Sequence, residues 1–412
     1  MFMQIKSCSD GFWLASNVAL LCLAIASPIQ AQITPDTTLP VNSTITPAGN
    51  TFTIEGGTTA GSNLFHSFRE FSVPTGAEAF FNNAANIQNI FSRVTGGNLS
   101  NIDGLIRANG TANLFLLNPN GIIFGSNARL NIGGSFLATT ASSFRFADGT
   151  EFSANNPQNS PLLTISVPIG LQYGSKSGEI RVEGLGQNFA ATGAITKFPS
   201  SLNPLEVKAG NTLTFVGGNV IIDGGILQAE GGRIELGGLV GEGTVNINSD
   251  RSLSFPDGVA RGDVFIINQA GINAIAAKGG SIAITAKNID IQDSLLMTGI
   301  AQGLGSTGSM AGDLTLNATE TINIASSSIR DVVGVNGIGN SGDINIQTGS
   351  LSVTDGSVLV ASTVGKGDAG DINILARDTV SFKGTDAASL VLGVATGKGG
   401  VRANDRSIRT GL

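Results

Sequence analysis

The chain is poor in the residues on which most enzymes and disulfide-stabilised proteins depend. Its 412 residues include two cysteines, one histidine, one tryptophan and one tyrosine, and only 13% are charged. Both cysteines, Cys8 and Cys22, lie within the first 31 residues, so the rest of the chain can form no disulfide bond. We therefore expect the fold to be stabilised by backbone hydrogen bonds and apolar packing.

Positive charge is also scarce. The formal net charge is −7 and no basic stripe is visible, which argues against nucleic acid or an anionic membrane as a partner. Nucleophile-elbow, P-loop, dinucleotide-binding, zinc and EF-hand patterns are absent from the sequence. We predict no cofactor, no metal site and no enzyme activity.

Glycine and branched apolar residues are what the chain has in abundance. Its 57 glycines accompany many Ile, Val, Leu, Thr, Ser and Asn residues, a composition typical of short strands and turns with very little helix. A repeat also appears: the strings GSIAI, GDLTL, GDINI and GDINI begin at Gly280, Gly312, Gly342 and Gly370. Each string precedes a second pair of alternating apolar residues, and a third strand such as residues 357–361 completes the unit.

Short strands recurring about every 30 residues predict the coils of a parallel β-helix. Equivalent strands of successive coils would stack, their inward Ile, Leu and Val side chains would form columns, and Gly, Asp or Asn would occupy the corners. A propeller blade needs a longer, four-stranded repeat, and a sandwich shows no such repeat.

The first 31 residues indicate a secretory leader. Lys6 lies in a short polar start, an apolar stretch covers residues 12–26, and Ala31 precedes the polar sequence that follows. We predict cleavage after Ala31, with Ala26 as the alternative. A transmembrane anchor is the other explanation, but the apolar stretch is shorter than the ~20 residues needed to span a bilayer.

The most informative stretch is NLFLLNPNGIIFG, residues 113–125. Two apolar runs, each predicted to be a buried strand, flank the four-residue turn formed by Asn118, Pro119, Asn120 and Gly121. Asn118 suits the first position of a type I turn, Pro119 the second and Gly121 the fourth, which leaves both asparagine side chains able to bond backbone groups. Taken alone, NPNG is equally compatible with a generic tight turn.

The longer run from Phe81 to Gly125, together with GSNARLNIGGSFLATT at residues 125–140, resembles the N-terminal secretion domain of filamentous haemagglutinin-type exoproteins, in particular cyanobacterial members. The family's secretion motif corresponds to Asn118, Pro119, Asn120, Gly121 and Ile122. An earlier NPNL element of the family corresponds to residues 82–87, where this chain has no proline. The resemblance implies a right-handed parallel β-helix with an N-terminal cap and extra-helical hairpins.

From these patterns we expect a signal peptide at residues 1–31, a two-partner secretion domain at 32–170, β-helix repeats at 171–400 and an irregular end at 401–412. This end suggests that the chain is a fragment of a longer protein. The resemblance further implies export through an outer-membrane β-barrel transporter that has periplasmic recognition domains. The exported protein would be secreted or held at the cell surface as an adhesin or structural protein, with a cell-surface or polysaccharide ligand.

The main rival is a β-helix enzyme that acts on extracellular polysaccharide. Such an enzyme needs ionisable residues clustered on adjacent coils in one cleft. Arg261-Gly262-Asp263 spells the tripeptide that integrins recognise on exposed loops, but a chance match is expected in so glycine-rich a chain. His66 has no second ligand-type residue nearby, six phenylalanines at positions 65–91 suggest packing in a cap or lid, and the polar residues 148–161 suggest a surface loop.

Overall fold

A computed structural model describes residues 33–159, 163–187 and 203–384, together with the backbone of two later strands. The predicted leader lies outside the described residues. Within the described part, regular structure is β-strand apart from one 3-10 turn at Pro157–Asn159, which confirms the all-β class. These same residues contain no helix of the length and apolarity that crossing a membrane requires.

The strands of the N-terminal third are β1 (Ile33–Pro35), β2 (Ser43–Ala48), β3 (Thr51–Gly56), β4 (Thr58–Ala60), β5 (Asn63–Phe71), β6 (Glu78–Phe81), β7 (Asn89–Val94), β8 (Ser100–Ile102), β9 (Leu105–Ala108), β10 (Asn113–Leu117), β11 (Ile122–Phe124), β12 (Arg129–Asn131) and β13 (Phe136–Thr139).

The middle third contains β14 (Ser143–Phe146), β15 (Glu151–Ser153), β16 (Pro168–Tyr173), β17 (Ile180–Glu183), β18 (Leu205–Glu206), β19 (Thr212–Gly217), β20 (Val220–Asp223), β21 (Ile226–Gln228), β22 (Arg233–Gly238), β23 (Gly243–Ile247), β24 (Leu253–Ser254), β25 (Val264–Ile267) and β26 (Gly271–Asn273).

The last strands are β27 (Ser281–Gln292), β28 (Leu295–Ile300), β29 (Gly305–Met310), β30 (Leu314–Ala325), β31 (Ser328–Val333), β32 (Ile338–Asn340), β33 (Ile344–Thr354), β34 (Val358–Thr363), β35 (Ile372–Lys383), β36 (Val401–Asn404) and β37 (Ile408–Thr410).

Successive coils pair in parallel on three faces. The first face runs β5, β7, β10, β13, β19, β22 and then the first halves of β27, β30, β33 and β35. The second face runs β8, β11, β17, β20, β25 and the second halves of the same four long strands. The third face runs β3, β6, β9, β12 and, in a separate sheet, β18, β21, β26, β28, β31 and β34. The chain is therefore a parallel β-helix.

The predicted repeat register is confirmed. Ile282 pairs with Leu314, which pairs with Ile344 and then Ile372, so the first apolar position of each repeat unit stacks on its equivalent. All four side chains are fully buried. Burial of each such side chain contributes about 1.5–3 kcal/mol, so these columns supply much of the stability of the coils.

Antiparallel strands occur only at the margins of the described coils. β1, β2 and β4 pair antiparallel with their neighbours and form the predicted N-terminal cap. β14, β15, β16, β23 and β24 form an antiparallel sheet outside the coils, which confirms the predicted extra-helical hairpins. Phe65 and Phe91 stack beneath this sheet, with ring centroids 5.1 Å apart, whereas Phe68, Phe71 and Phe81 fill the interior of the first coils.

Two local predictions differ from the structure. Residues 148–161 are not simply a surface loop, because β15 pairs with β14 and buries Phe152 against Phe65. β15 has only three residues, which is too short to show the alternation of apolar and polar residues that predicts a strand. Residues 401–412 were expected to be irregular, but β36 and β37 pair in parallel with the two halves of β35 and continue the ladder. Backbone pairing needs only the main-chain N–H and C=O groups, so a segment without the apolar pattern of the repeats can still join the ladder.

Candidate functional site

The residues 118–121 form a corner between two faces of one coil, here called the 118–121 corner. β10 ends at Leu117 on the first face, and β11 begins at Ile122 on the second face. The two strands do not pair with each other; β10 pairs with β7 and β13, and β11 pairs with β8 and β17. The NPNG turn is therefore a bend in a stacked coil rather than the tip of a hairpin.

The turn closes as the sequence predicts. The Gly121 amide donates to the Asn118 carbonyl oxygen at 3.2 Å, which is the bond that defines a four-residue turn. Gly121 has a φ of 128°, which glycine adopts without a steric cost. A Cβ at this position would also lie 3.2 Å from the Glu179 carbonyl oxygen, so a side chain here would disturb the next coil.

Asn118 is fully buried, and its side chain forms hydrogen bonds both within its own coil and with the preceding coil. Its Nδ2 donates to the Asn98 carbonyl oxygen at 3.1 Å and to Ser100 Oγ at 3.0 Å, both in the preceding coil. Its Oδ1 accepts from the Asn120 amide at 3.0 Å. Since a buried amide without partners would be costly, this asparagine fixes the corner against the coil before it.

The remaining residues of the corner connect to the following coil. The Gly178 amide donates to the Pro119 carbonyl oxygen at 2.9 Å, and the Ile122 amide donates to the Glu179 carbonyl oxygen at 3.0 Å. A Cβ on Gly178 would lie 2.4 Å from the Asn120 carbonyl group, so only glycine permits this approach. Pro119 is half-buried, and Asn120 is the exposed residue of the four.

The corner at residues 82–87, where the family's earlier element is expected, works without proline. Asn83 is buried, its Oδ1 accepts from the Asn109 amide at 2.9 Å, and its Nδ2 donates to the Asn109 carbonyl oxygen at 3.2 Å. The Ile87 amide donates to the Ala84 carbonyl oxygen at 3.1 Å and closes the turn. A buried asparagine side chain thus bonds one coil to its neighbour here, as Asn118 does at the 118–121 corner.

Sequence analysis missed a buried arginine that joins three parts of the N-terminal region. Arg93 has no exposed surface, and its guanidinium donates to Ser67 Oγ in β5, to Thr38 Oγ1 near the cap and to the Ser153 carbonyl oxygen in the extra-helical sheet, at 2.6–2.9 Å. It also lies 4.3 Å from the ring centre of Phe152. Burial lowers the pKa of Arg93 to about 10, against the opposing effect of Asp36.

Asp36 completes this network from the cap. Its carboxylate accepts from the hydroxyl groups of Thr38, Ser67 and Thr95 at 2.6–2.7 Å. Burial opposes ionisation, but these hydrogen bonds together hold the pKa of Asp36 below its usual value. No motif reveals such a network, because its members are spread over more than a hundred residues of sequence.

The remaining candidates prove to be structural. His66 is buried beside Phe68 and Phe81, its Nδ1 lies 2.9 Å from Ser43 Oγ, and burial lowers its pKa to about 3. Gly262 of the RGD string is buried, and Asp263 accepts from the amide and side chain of Asn288 at 3.1 and 2.9 Å, so the string is a coil corner rather than a displayed loop.

Two sets of ionisable residues do line up on adjacent coils. Asp313, Asp343 and Asp371 stack at one corner, where Asp313 and Asp343 each accept from the backbone amide of the next aspartate, as capping residues do. Among the described residues no group of three or more acidic, His or Cys side chains is arranged to hold a metal ion.

The second set, Glu206, Lys208 and Glu230, lines a groove of about 370 Å³ beside the break between β12 and β18. Gln228 donates to both carboxylates, at 3.0 and 3.4 Å, and both glutamates are exposed. The acid of a glycosidase lies in an enclosed, largely apolar site, whereas both of these carboxylates face solvent.

Comparison with known proteins agrees with this geometry. The profile of the TPS (two-partner) secretion domain family matches residues 31–257, more than half of the chain. The chain is 36% identical over 91 residues to the heme/hemopexin-binding protein of Haemophilus influenzae, a match that covers 22% of this chain and 10% of that relative.

Two solved structures are also similar. The HMW1 secretion domain from Haemophilus influenzae aligns with 90% of this chain and all of its own length, at 17% identity and a TM-score of 0.47. A filamentous hemagglutinin secretion domain aligns with 92% of this chain and 99% of its own, at 14% identity and a TM-score of 0.40. Because the family profile covers the cap, the 118–121 corner and the extra-helical sheet together, the chain belongs to the TPS secretion domain family.

Proposed function

We propose that this chain is the exported partner of a two-partner secretion system and that the finished protein acts outside the cell as an adhesin or surface structural protein. A leader at residues 1–31 would take it across the inner membrane. An outer-membrane β-barrel transporter with periplasmic recognition domains would then recognise its N-terminal region and carry it out. The family match over residues 31–257 is the observation that carries this proposal.

We place the end of the export unit beyond β24, although the sequence suggested a boundary near residue 170. β16 pairs with β23 from Gly170↔Asn246 to Tyr173↔Gly243, so the extra-helical sheet needs both segments. Tyr173 donates its buried hydroxyl group to the Val216 carbonyl oxygen at 2.6 Å and ties this sheet to the coils. A unit ending near 257 keeps these contacts intact.

The 118–121 corner would support export by shaping the domain rather than by touching the transporter. Asn118 and Gly121 are buried, and the Pro119 carbonyl group is bonded within the stack. Asn120 alone of these four residues offers an exposed side chain, and its Nδ2 already donates to the Gly96 carbonyl oxygen at 2.7 Å. The repeats would follow the domain out, and each emerging coil would bury more apolar surface and oppose backward sliding.

Export of corner variants from cells that carry the transporter tests these roles. Asn118→Ala removes the buried amide, Asn120→Gln changes the exposed side chain, and Asn109→Ala is a control that loses comparable corner bonds to Asn82 and Asn83 elsewhere in the domain. We expect Asn118→Ala to reduce the protein in the medium severely and Asn120→Gln to leave it unchanged.

The outcomes separate the possibilities. Loss of export in Asn120→Gln without loss of stability would assign Asn120 to a transporter contact. Equal loss in Asn118→Ala and Asn109→Ala would indicate that export depends on stability alone. Undiminished export of Asn118→Ala, or export that does not need the transporter, would contradict the proposed pathway.

A further inference from the structure

The exposed residue of the 118–121 corner carries a chemically labile sequence. Asparagine followed by glycine deamidates readily, because glycine leaves its own backbone nitrogen unobstructed. The Gly121 nitrogen attacks Cγ of Asn120, the Cγ–Nδ2 bond breaks and ammonia leaves, and water then opens the cyclic succinimide to aspartate or isoaspartate. The chain contains two other such dipeptides, Asn109-Gly110 and Asn336-Gly337.

The folded corner opposes this reaction at both reacting groups. The attacking Gly121 amide is engaged with the Asn118 carbonyl oxygen. The Asn120 side chain is turned toward the preceding coil, where its Nδ2 donates to the Gly96 carbonyl oxygen at 2.7 Å and to Asn118 Oδ1 at 3.1 Å. That same Oδ1 accepts from the Asn120 backbone amide, so both the side chain and the main chain of Asn120 are held against Asn118, and the side chain must leave these partners before it can react.

We propose that Asn120 is a deamidation site that folding closes. Water reaches the side chain, so the protection comes from geometry and not from burial. In an unfolded chain these hydrogen bonds are absent and the reaction is free to proceed. The biological meaning rests on the proposed export role: a chain that waits unfolded for its transporter would lose this asparagine with time.

The product would damage the corner. An aspartate at 120 has no donor for the Gly96 carbonyl oxygen and places a carboxylate beside Asn118 Oδ1. An isoaspartate inserts an extra main-chain carbon between Pro119 and Gly121, where the Gly178 amide must bond the Pro119 carbonyl oxygen. Either product weakens the junction between the two neighbouring coils.

The other two dipeptides are internal controls. Asn109 resembles Asn120, because its Nδ2 donates to Asn82 Oδ1 at 3.0 Å and to the Asn83 carbonyl oxygen at 3.1 Å. Asn336 is exposed and has a φ of 58°. The Gly337 amide that would attack it is also bonded, to the Gly334 carbonyl oxygen at 2.8 Å, but among the described residues no hydrogen bond anchors the Asn336 side chain. We therefore expect folding to protect Asn109 and Asn120, whose side chains are anchored, more strongly than Asn336.

Peptide mapping by mass spectrometry tests this without any export assay, so its result is independent of the proposed pathway. The full chain is incubated at mildly alkaline pH, once folded and once in guanidinium chloride, and Asn, Asp and isoAsp are quantified at the three sites. We expect deamidation at Asn120 to be at least about tenfold slower in the folded sample, because the corner must open first. Equal rates in both samples, or protection of Asn336 equal to that of Asn120, would overturn the proposal.

A refolding experiment tests the damage. Asn120→Asp should refold with a lower denaturation midpoint than the wild-type chain, whereas Asn336→Asp should refold normally. An Asn120→Asp chain with an unchanged midpoint would show that deamidation here is without structural consequence.

Discussion

The N-terminal coils and the repeat coils of this protein share one architecture but are stabilised in different ways. Up to β24 the chain uses aromatic clusters, a buried Arg93 network and an antiparallel sheet, and these contacts join residues far apart in sequence. From β27 onward each coil repeats the same small contacts. Ser294, Ser327 and Ser357, for example, occupy the same corner of three coils and bond each other's backbone in series.

This difference has a physical consequence. Stability in the repeats is close to a sum over identical interfaces, so loss of one contact is local. In the N-terminal region each long-range contact requires the others, so the region should fold as a unit or not at all. The following predictions test that contrast.

Truncation should give the largest effect. A protein of residues 32–257 retains the cap, the 118–121 corner and the β16–β23 pairing, and we expect cooperative thermal unfolding. A protein of residues 32–170 ends inside β16 and lacks its partner strand β23 and the upper coils, and we expect no cooperative transition by circular dichroism and rapid digestion by protease. A compact, protease-resistant 32–170 protein would show that the two segments are independent.

Replacement of Arg93 should give the largest loss of stability among the single substitutions in the N-terminal region. Arg93→Met takes a positive charge away from the half-buried Asp36 and leaves the Ser153 carbonyl oxygen in the extra-helical sheet without its donor, so we expect a loss of about 2–4 kcal/mol in the free energy of unfolding. Arg69→Met, on the exposed end of β5, should change stability by less than about 0.5 kcal/mol. Denaturant titration of both variants, made in the 32–257 protein, measures the difference, and similar values for the two would contradict the role of the network.

The 118–121 corner should be sensitive to backbone geometry. Gly121→Ala forces a side chain into a φ of 128° and toward the Glu179 carbonyl group, and we expect a loss of about 1–3 kcal/mol. Gly76→Ala is a weaker control, because its φ of 73° imposes strain but a Cβ there meets no neighbouring atom. Equal denaturation midpoints for the two variants would argue against crowding at the corner.

Two buried groups, one in each region, should make stability respond to pH in opposite directions. Asp331 is fully buried on β31, and burial raises its pKa to about 7, despite hydrogen bonds from Ser341, Thr298 and the Gly342 amide. Between about pH 4 and 7 the unfolded chain releases this proton and the folded chain keeps it, so stability falls as pH rises. Asp331→Asn should therefore stabilise the repeats by roughly 2–4 kcal/mol at pH 8 and by little at pH 4.

Titration of His66 changes the stability of the N-terminal coils in the opposite direction. Its pKa is lowered to about 3 by burial, so the unfolded chain binds a proton that the folded chain rejects, and stability falls as pH drops from about 6.5. Hydrogen exchange at pH 8 and pH 4 can locate both effects when it is expressed as protection factors, because the intrinsic exchange rate itself rises steeply with pH. Lower protection of β5, which contains His66, at pH 8 than at pH 4 would contradict this assignment.

The smallest effect is expected in the repeat corners. Ser327→Ala removes one hydroxyl group that donates to the Ala325 carbonyl oxygen and accepts from the Ser294 amide, and we expect a loss of about 1 kcal/mol. Hydrogen exchange should show it confined to the neighbouring coils. Exchange that accelerates throughout the repeats would show that they too are cooperative.

The sequence predicts these two regions unequally well for a physical reason. In the repeats, Ile282, Leu314 and Ile344 follow glycine at fixed spacing, and because stacked coils need equivalent residues at equivalent places, periodicity reveals the register directly. The corner serines were missed because glycine and aspartate dominate the visible pattern. Asp293 directly precedes Ser294, and Asp355 lies two residues before Ser357. Both aspartates have a positive φ, near 50°, and an aspartate shortly before a serine was the sequence signal available for these corners.

In the N-terminal region the turn at 118–121 was predictable because its geometry is local to four residues. The stacking of Gly178 on Asn120 was not, since fifty-seven residues, including three strands of the antiparallel sheet, separate them in sequence. Phe152 likewise gave no periodic signal, and its burial follows only from the sheet that β14 and β16 build around it.

The break on the third face has a mechanical consequence. Within the described residues, pairing continues at this level on the other two faces, through β10–β13 and β11–β17, but β12 and β18 belong to different sheets. Two ladders of hydrogen bonds therefore join the described strands here instead of three. Under a pulling force along the stack, rupture should begin at this junction, because the load is shared by fewer interstrand hydrogen bonds there than at the neighbouring coils.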